Sequence, residues 1–438
     1  MVDHSKNGKE EEAGLVYGHR LSSIGPARVT GDVVYEPSNI DLAMKLHYLR
    51  VVYLFDKEAV EGLNLSKHKL KEALFSWLNF YYETCGRFRR SDDTGRPYIK
   101  CNDCGMRFVE AKSSLTLEEW LTLPANSLKR LVPHHVIGPE LNFSPPTFLQ
   151  MTFLSCGGMS LGLSWAHVLG DAFSVASFMN SLGPFLKGLQ PTSSPNFNKS
   201  PPHIQKTAKN TTSFSPLSVK KVGPVEDNWA IDPPCEMDSF SFHLTGQQLA
   251  QLCESEAASD PIQPFECISA AIWRAIAKIK GGSEPNVVTV IKSGPKADDM
   301  LLRNNQIVSS VKADFSVAEA HVNDLMALIR DGSEDEMTQI AELVGQDPGG
   351  PDFIIYGANP TFVDLGGAEF YGLELKGLGP KLVNCFVEGL GEEGVVLVLP
   401  SPNSVKHKDQ GRLVTLIFPK IYMEELKEEI KKEWPLVA

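Results

Sequence analysis

The sequence predicts an α/β fold: two units of mixed β-sheet and helix joined by a long crossover. Three observations predict it. Segments of strand pattern and helix pattern intermix through both halves of the 438 residues. A stretch from Gln190 to Asp238, dense in Pro, Ser, Thr and Asn, breaks that pattern for roughly 40 residues, well past ordinary loop length. No short-period repeat competes with this reading. The expected organisation is a disordered N-terminal segment (1–20), a first domain (21–189), a crossover linker (190–237) and a second domain (238–438).

In the first half, "VVYLFD" (Val51 to Asp56) is rich in β-branched and aromatic residues and reads as a strand. In "HKLKEALFSWLNFYYETCG", Leu70, Leu74, Trp77, Leu78 and Tyr81 recur at three- and four-residue spacing, which predicts an amphipathic helix stopped at Gly86. "RPYIKCNDCGMRFVEAK" alternates around a turn like a hairpin. Two apolar strands meet at Cys156-Gly157-Gly158, and after His167 the residues Phe173, Ala176, Phe178 and Met179 mark a helix that starts near Asp171.

Regular structure resumes after the linker. "SFSFHLTGQQLAQLCESEA" reads as strand then helix, "PFECISAAIWRAIAKIKG" as a helix and "NVVTVIKS" as a strand. Short strands follow in "DFIIYGANPTFVDL", "KLVNCFVEGL", "EGVVLVLP" and "RLVTLIFP". The chain closes with "YMEELKEEIKKEW", a helix whose Glu and Lys spacing gives a solvated face with local ion pairs.

Composition narrows the function classes. Apolar residues make up 42% and charged residues 22%, ordinary for a globular chain. The net charge of −12 argues against a nucleic-acid or anionic-membrane surface, since both want basic stripes. The charged N-terminus "MVDHSKNGKEEEAG" lacks a secretory core, and no run reaches the length of a transmembrane helix, so a cytosolic start is expected. Eight scattered cysteines read as reduced thiols. "CNDC" (Cys101 to Cys104) has C-x-x-C spacing, but no second pair completes a zinc set, so no metal is expected.

One H-x-x-x-D sits at His167 and Asp171. With eleven histidines in the chain, such a pair is near chance level as a spelling. Its position says more. A histidine on a strand-to-helix turn can take the proton of an alcohol or amine as a carbonyl is attacked. A buried structural histidine fits the same place. Asp171 either orients the imidazole or caps the helix, with capping favoured. No G-x-S-x-G, phosphate loop or His-rich metal set accompanies them.

"LKEALFSWLNFYYETCGRFRR", "CNDCGMRFVEA", "LQMTFLSCGGMSLGLSWAHVLGD" and "PFECISAAIWRAIAKIKG" resemble, in order, the plant BAHD acyl-CoA-dependent acyltransferases. The resemblance runs from about Leu21 to Leu426. It implies a chloramphenicol-acetyltransferase-like fold of two similar-sized domains with a channel at their interface. It also implies His167 as general base and Asp171 turned away, bracing the turn. No bound cofactor is implied; acyl-CoA is the possible substrate or ligand.

Two departures stand out. Ala172 replaces the usual glycine after the aspartate. "ELKGL" (Glu374 to Leu378) stands where the family has D-F-G-W-G, and the arginine that pairs with that aspartate falls near Ser293. These, with "DLAMKLHYLRVVYLF", resemble the eceriferum-two and glossy-two branch of cuticular wax proteins. That branch implies an accessory protein working with the ketoacyl-CoA synthase of the elongase on very-long-chain acyl-CoAs, peripherally at the cytosolic face of the endoplasmic reticulum or in the cytoplasm. The other reading is an acyltransferase that uses His167 on an alcohol or amine.

Overall fold

Strand β3 (Tyr48–Phe55) is the spine of the first sheet, and every one of its residues is buried. A continuous apolar run suits a strand covered on both faces. The computed structural model describes residues 14–61, 67–189, 215–253, 264–295, 302–346, 350–402 and 411–434. Before β3 come β1 (Val16–Ile24) and β2 (Val34–Tyr35); after it come β4 (Arg87–Arg90), β5 (Pro97–Lys100), β6 (Met106–Ser113), β7 (Thr147–Phe153) and β8 (Met159–Ala166). The crossover contributes β9 (Lys220–Val222). Beyond it lie β10 (Met237–Leu244), β11 (Val287–Lys292), β12 (Ile307–Lys312), β13 (Glu334–Asp335) and β14 (Asp352–Ile354). The last strands are β15 (Thr361–Asp364), β16 (Leu382–Glu388), β17 (Val395–Pro400) and β18 (Arg412–Pro419).

Both main sheets are mixed. The first has the order β1-β6-β7-β8-β3-β16, with β6 and β7 parallel. The second has the order β10-β18-β17-β15-β11-β12-β13, with β11, β15 and β17 parallel. Each sheet has its own apolar core. In the first, the helix Lys67–Leu78 packs on the helix Ala172–Leu186, with Trp77 against Phe178 at 4.2 Å between ring centroids. In the second, the helix Pro264–Lys280 buries Phe265, Ile268, Ile272 and Trp273. Each such side chain withdrawn from water contributes about 1.5–3 kcal/mol. The C-terminal helix (Lys420–Glu433) buries Met423, Leu426 and Ile430 and carries Glu–Lys pairs on its outer face, as its pattern predicted.

The structure departs from the expected boundaries in three places. Strand β1 begins at Val16, inside the segment expected to be disordered, and pairs with β6 from Val16 opposite Ser113. It is an edge strand with most side chains exposed, so its polar sequence hid its pairing; residues 1–13 lie outside the described residues. Part of the expected linker is built into the fold. Strand β9 pairs with β14, and Trp229 is fully buried against Phe88, while residues 190–214 lie outside the described residues. Finally, β16 leaves the second half and completes the first sheet beside β3.

The exchange of β16 is fixed by charge as well as register. Arg50 on β3, 1% exposed, meets Glu388 on β16 at 2.7 Å and also donates to Ser164 and to the carbonyl of His135. Leaving either charge unpaired there would cost about 3–5 kcal/mol. Burial pulls the Glu388 carboxyl upward, yet the Arg50 guanidinium holds it below the usual range.

Two local expectations also change. The "CNDC" segment is no hairpin turn: β5 pairs with β2 and β4, whereas β6 belongs to the main sheet. Gly86 does not end a helix in the left-handed region; its φ is −77°. Glycine fits there because a Cβ would lie 2.4 Å from Ile99 Cγ2 and 2.7 Å from the Lys100 carbonyl oxygen.

Candidate functional site

The site begins where β8 ends. A single 3₁₀ turn, His167–Leu169, connects β8 to the helix Ala172–Leu186, as the sequence placed it. Gly170 makes the corner with φ 154°, and a Cβ there would press on Arg303 N and Ser174 Oγ at 2.8 Å. The turn is thus held against the second half of the chain by close backbone approach.

Asp171 is the N-cap of that helix. One carboxylate oxygen accepts from Ser174 N at 3.0 Å, and the other accepts from Asn305 N at 2.8 Å and Gln306 N at 3.1 Å. Burial raises its pKa, opposed by these three N–H donors among others. Asp171 therefore caps one domain's helix and ties down the segment leading into β12 of the other, leaving the imidazole to other partners. Ala172 is the first helical residue. Its backbone needs no glycine, so the departure at this position is conformationally neutral.

His167 is 1% exposed, and its Nε2 lies 2.9 Å from the hydroxyl of Tyr356, which follows β14. A second histidine stands beside them: His47, just before β3, is 0% exposed and accepts the Ile355 N–H through Nε2 at 3.1 Å. That bond places the His47 proton on Nδ1. The Tyr356 ring lies between the two imidazoles, with centroids 5.0 Å from His47 and 5.3 Å from His167. Asn304, from the second half, bridges two elements of the first domain, donating Nδ2 to the His167 carbonyl at 2.9 Å and to Asp41 at 2.8 Å. Asp41 is itself fixed by a capping box with Ser38.

Burial holds both imidazoles neutral. It pulls His167 down to about 4, against upward pulls from its own carbonyl and the Asn304 amide. It pulls His47 down to about 3, helped by His167 and opposed by the Gly389 carbonyl. The Nδ1 atom of neither ring has a hydrogen-bond partner of good geometry. In the tautomer protonated at Nδ1, His167 presents Nε2 as the acceptor a general base requires, and the Tyr356 hydroxyl already fills it.

Where the sequence expected His167 to line an opening, His47, His167 and Tyr356 are each at most 2% exposed. A cleft of about 370 Å³ lies under β9 and β14, and His167 does not line it. Lys45 pairs with Asp352 and Arg90 with Asp227 in its walls.

Glu374, expected beside the site, is elsewhere. It is half-exposed and faces Lys187 at 3.8 Å. Its backbone packs on Gly183, some 16 Å along the helix from Ala172 at 1.5 Å per residue. Leu375 and Leu378 pair around Lys376 and Gly377, both at positive φ, so "ELKGL" forms a tight hairpin in place of the family's signature. Ser293 follows β11, whose last residue Lys292 pairs instead with Glu266 at 2.8 Å.

Residues 19–293 match the sequence pattern of the family described as the Transferase family. The chain belongs to this BAHD transferase family. Among its BAHD relatives, Protein ECERIFERUM 26 of Arabidopsis thaliana is 40% identical over 426 residues, 96% of each chain. Protein ECERIFERUM 2 of the same plant is 36% identical over 96% of this chain and 99% of its own. Vinorine synthase has the same fold, with a TM-score of 0.72 at 18% identity over 97% of this chain and 98% of its own. So does TRI101 of F. sporotrichioides, solved with coenzyme A and T-2, with a TM-score of 0.69 at 16% identity over 93% of this chain and 99% of its own.

His47, Asp41, Asn304 and Tyr356 gather around the His167 turn and were not singled out in the sequence. The S-x-x-D of the capping box at Ser38 was legible there. The contact between His167 and Tyr356 spans 189 residues and left no local signal.

Proposed function

We propose that this chain is an accessory BAHD-fold protein that extends the acyl chain length reached by a ketoacyl-CoA synthase in very-long-chain acyl-CoA elongation for cuticular wax. The observation that carries the accessory reading is the internal hydroxyl on His167. The base nitrogen of His167 is taken by an internal hydroxyl, in a setting where His167, His47 and Tyr356 are all buried. Similarity along nearly the whole chain to ECERIFERUM 26 and ECERIFERUM 2 supports the wax side of the reading. The chain meets the synthase at the cytosolic face of the endoplasmic reticulum as a peripheral protein. Among the described residues no helix is long and apolar enough to cross a membrane. Long acyl-CoA is its ligand, by analogy with the coenzyme A held by the TRI101 structure of the same fold.

Expression of the chain with a ketoacyl-CoA synthase, in a host that makes no very-long waxes, tests this. Acyl chains longer than the synthase makes alone are expected only when both proteins are present. An unchanged length profile with both proteins abundant contradicts the reading.

A second reading, an acyltransferase acting through His167, rests on the intact geometry of the turn. The Tyr356 hydroxyl at 2.9 Å lies within the reach at which a general base takes a proton. Ester formation by the purified protein from long acyl-CoA and alcohols would favour it.

A further inference from the structure

The hydroxyl on His167 belongs to the protein. For acyl transfer, an acceptor must bring its hydroxyl within about 2.6–3.2 Å of the base nitrogen. Tyr356 Oη is at 2.9 Å, on a ring buried between two imidazoles. Its backbone is pinned on both sides: Ile355 N donates to His47, and Gly357 N donates to Thr361 Oγ1 at 3.0 Å. The strand just before it, β14, pairs with β9 of the crossover. Burial, with Asp171 and Cys385 nearby, raises the phenol well above its ordinary value, which disfavours loss of its proton.

We propose that Tyr356 is a built-in occupant of the acceptor position and is the residue that excludes external acceptors from His167. The inference rests on the accessory reading and supplies its physical cause: the base survives, and its substrate's place is filled. Removing the ring vacates that place. An external hydroxyl then attacks the acyl-CoA carbonyl, its proton passing to His167 Nε2. The new C–O bond forms as the C–S bond breaks, and the proton is returned to the departing thiolate, giving ester and free coenzyme A.

The test uses the purified full-length chain with a long-chain acyl-CoA. Truncating a buried side chain leaves a void that a small aromatic molecule can fill, and phenol has the shape of the group that Tyr356→Ala removes. Tyr356→Ala is expected to bind phenol, seen as a raised melting temperature that Tyr356→Phe does not show, and to form the phenyl ester. Adding His167→Ala should lower that rate by roughly 10²–10⁴-fold, the range that general-base catalysis supplies. Tyr356→Leu, which keeps apolar bulk for folding, is expected to transfer acyl groups to methanol.

Absence of ester from both variants, folded by circular dichroism, overturns the inference. So does ester formation by the wild type at the variants' rate, or an acyl adduct on Tyr356 found by mass spectrometry. None of these readouts measures chain elongation, so failure here leaves the accessory reading to be judged by its own experiment.

Discussion

Two neutral histidines in one interface make a pH signature at the scale of single residues. The folded chain holds His167 at about 4 and His47 at about 3, below the ordinary 6.5. As pH falls below 6.5 the unfolded chain takes up two protons that the folded chain refuses. The stability these groups carry is therefore full above 6.5 and is lost as pH drops toward their folded values. Each contributes a slope of about 1.4 kcal/mol per pH unit in that window. Urea unfolding from about pH 7 to 4.5 is expected to decline more steeply in the wild type than in the His47→Gln/His167→Gln double variant. Equal slopes contradict buried neutral rings. Asp171 was legible as a cap because an aspartate stood before an apolar helical run. Tyr356 was not, because its role depends on where β14 is laid against a turn from the other domain.

At the scale of elements, Glu336 is a buried carboxylate that anchors the crossover, as Asp352 does at Val225 N. Glu336 accepts from Leu217 N and Ser218 N at 2.8 Å each and from the Ser310 hydroxyl at 2.8 Å. Strand β9 follows at once and pairs with β14, which ends two residues before Tyr356. Glu336→Ala leaves those donors without an acceptor, at a loss of about 1–3 kcal/mol. Trypsin is then expected to cut after Lys220 and Lys221 faster than in the wild type, and unchanged cleavage would sink this role for Glu336. The sequence marked this region as a linker because its Pro-rich part dominates the composition. Three residues of strand and two buried carboxylates leave too small a pattern to show. The "ELKGL" hairpin was visible as a departure, but its place near the far end of a helix came only from packing.

At the scale of the molecule, the two mixed sheets and their helices followed from local periodicity and from the resemblance together. The exchange of β16 did not follow, since its apolar alternation suits either sheet. The buried pair of Arg50 and Glu388 helps decide it. The same interlocking gathers residues of both halves at the His167 turn, where Asp41, Asn304 and Tyr356 meet it. On the accessory reading, the chain keeps an acyltransferase's base there without using it. The most direct measurement is the acyl-length profile of cells carrying the synthase with wild-type chain or with His167→Ala at equal abundance. Retention of the lengthened products by His167→Ala is the expected result. Their disappearance, with the variant folded and present, would contradict the reading in which His167 is not used.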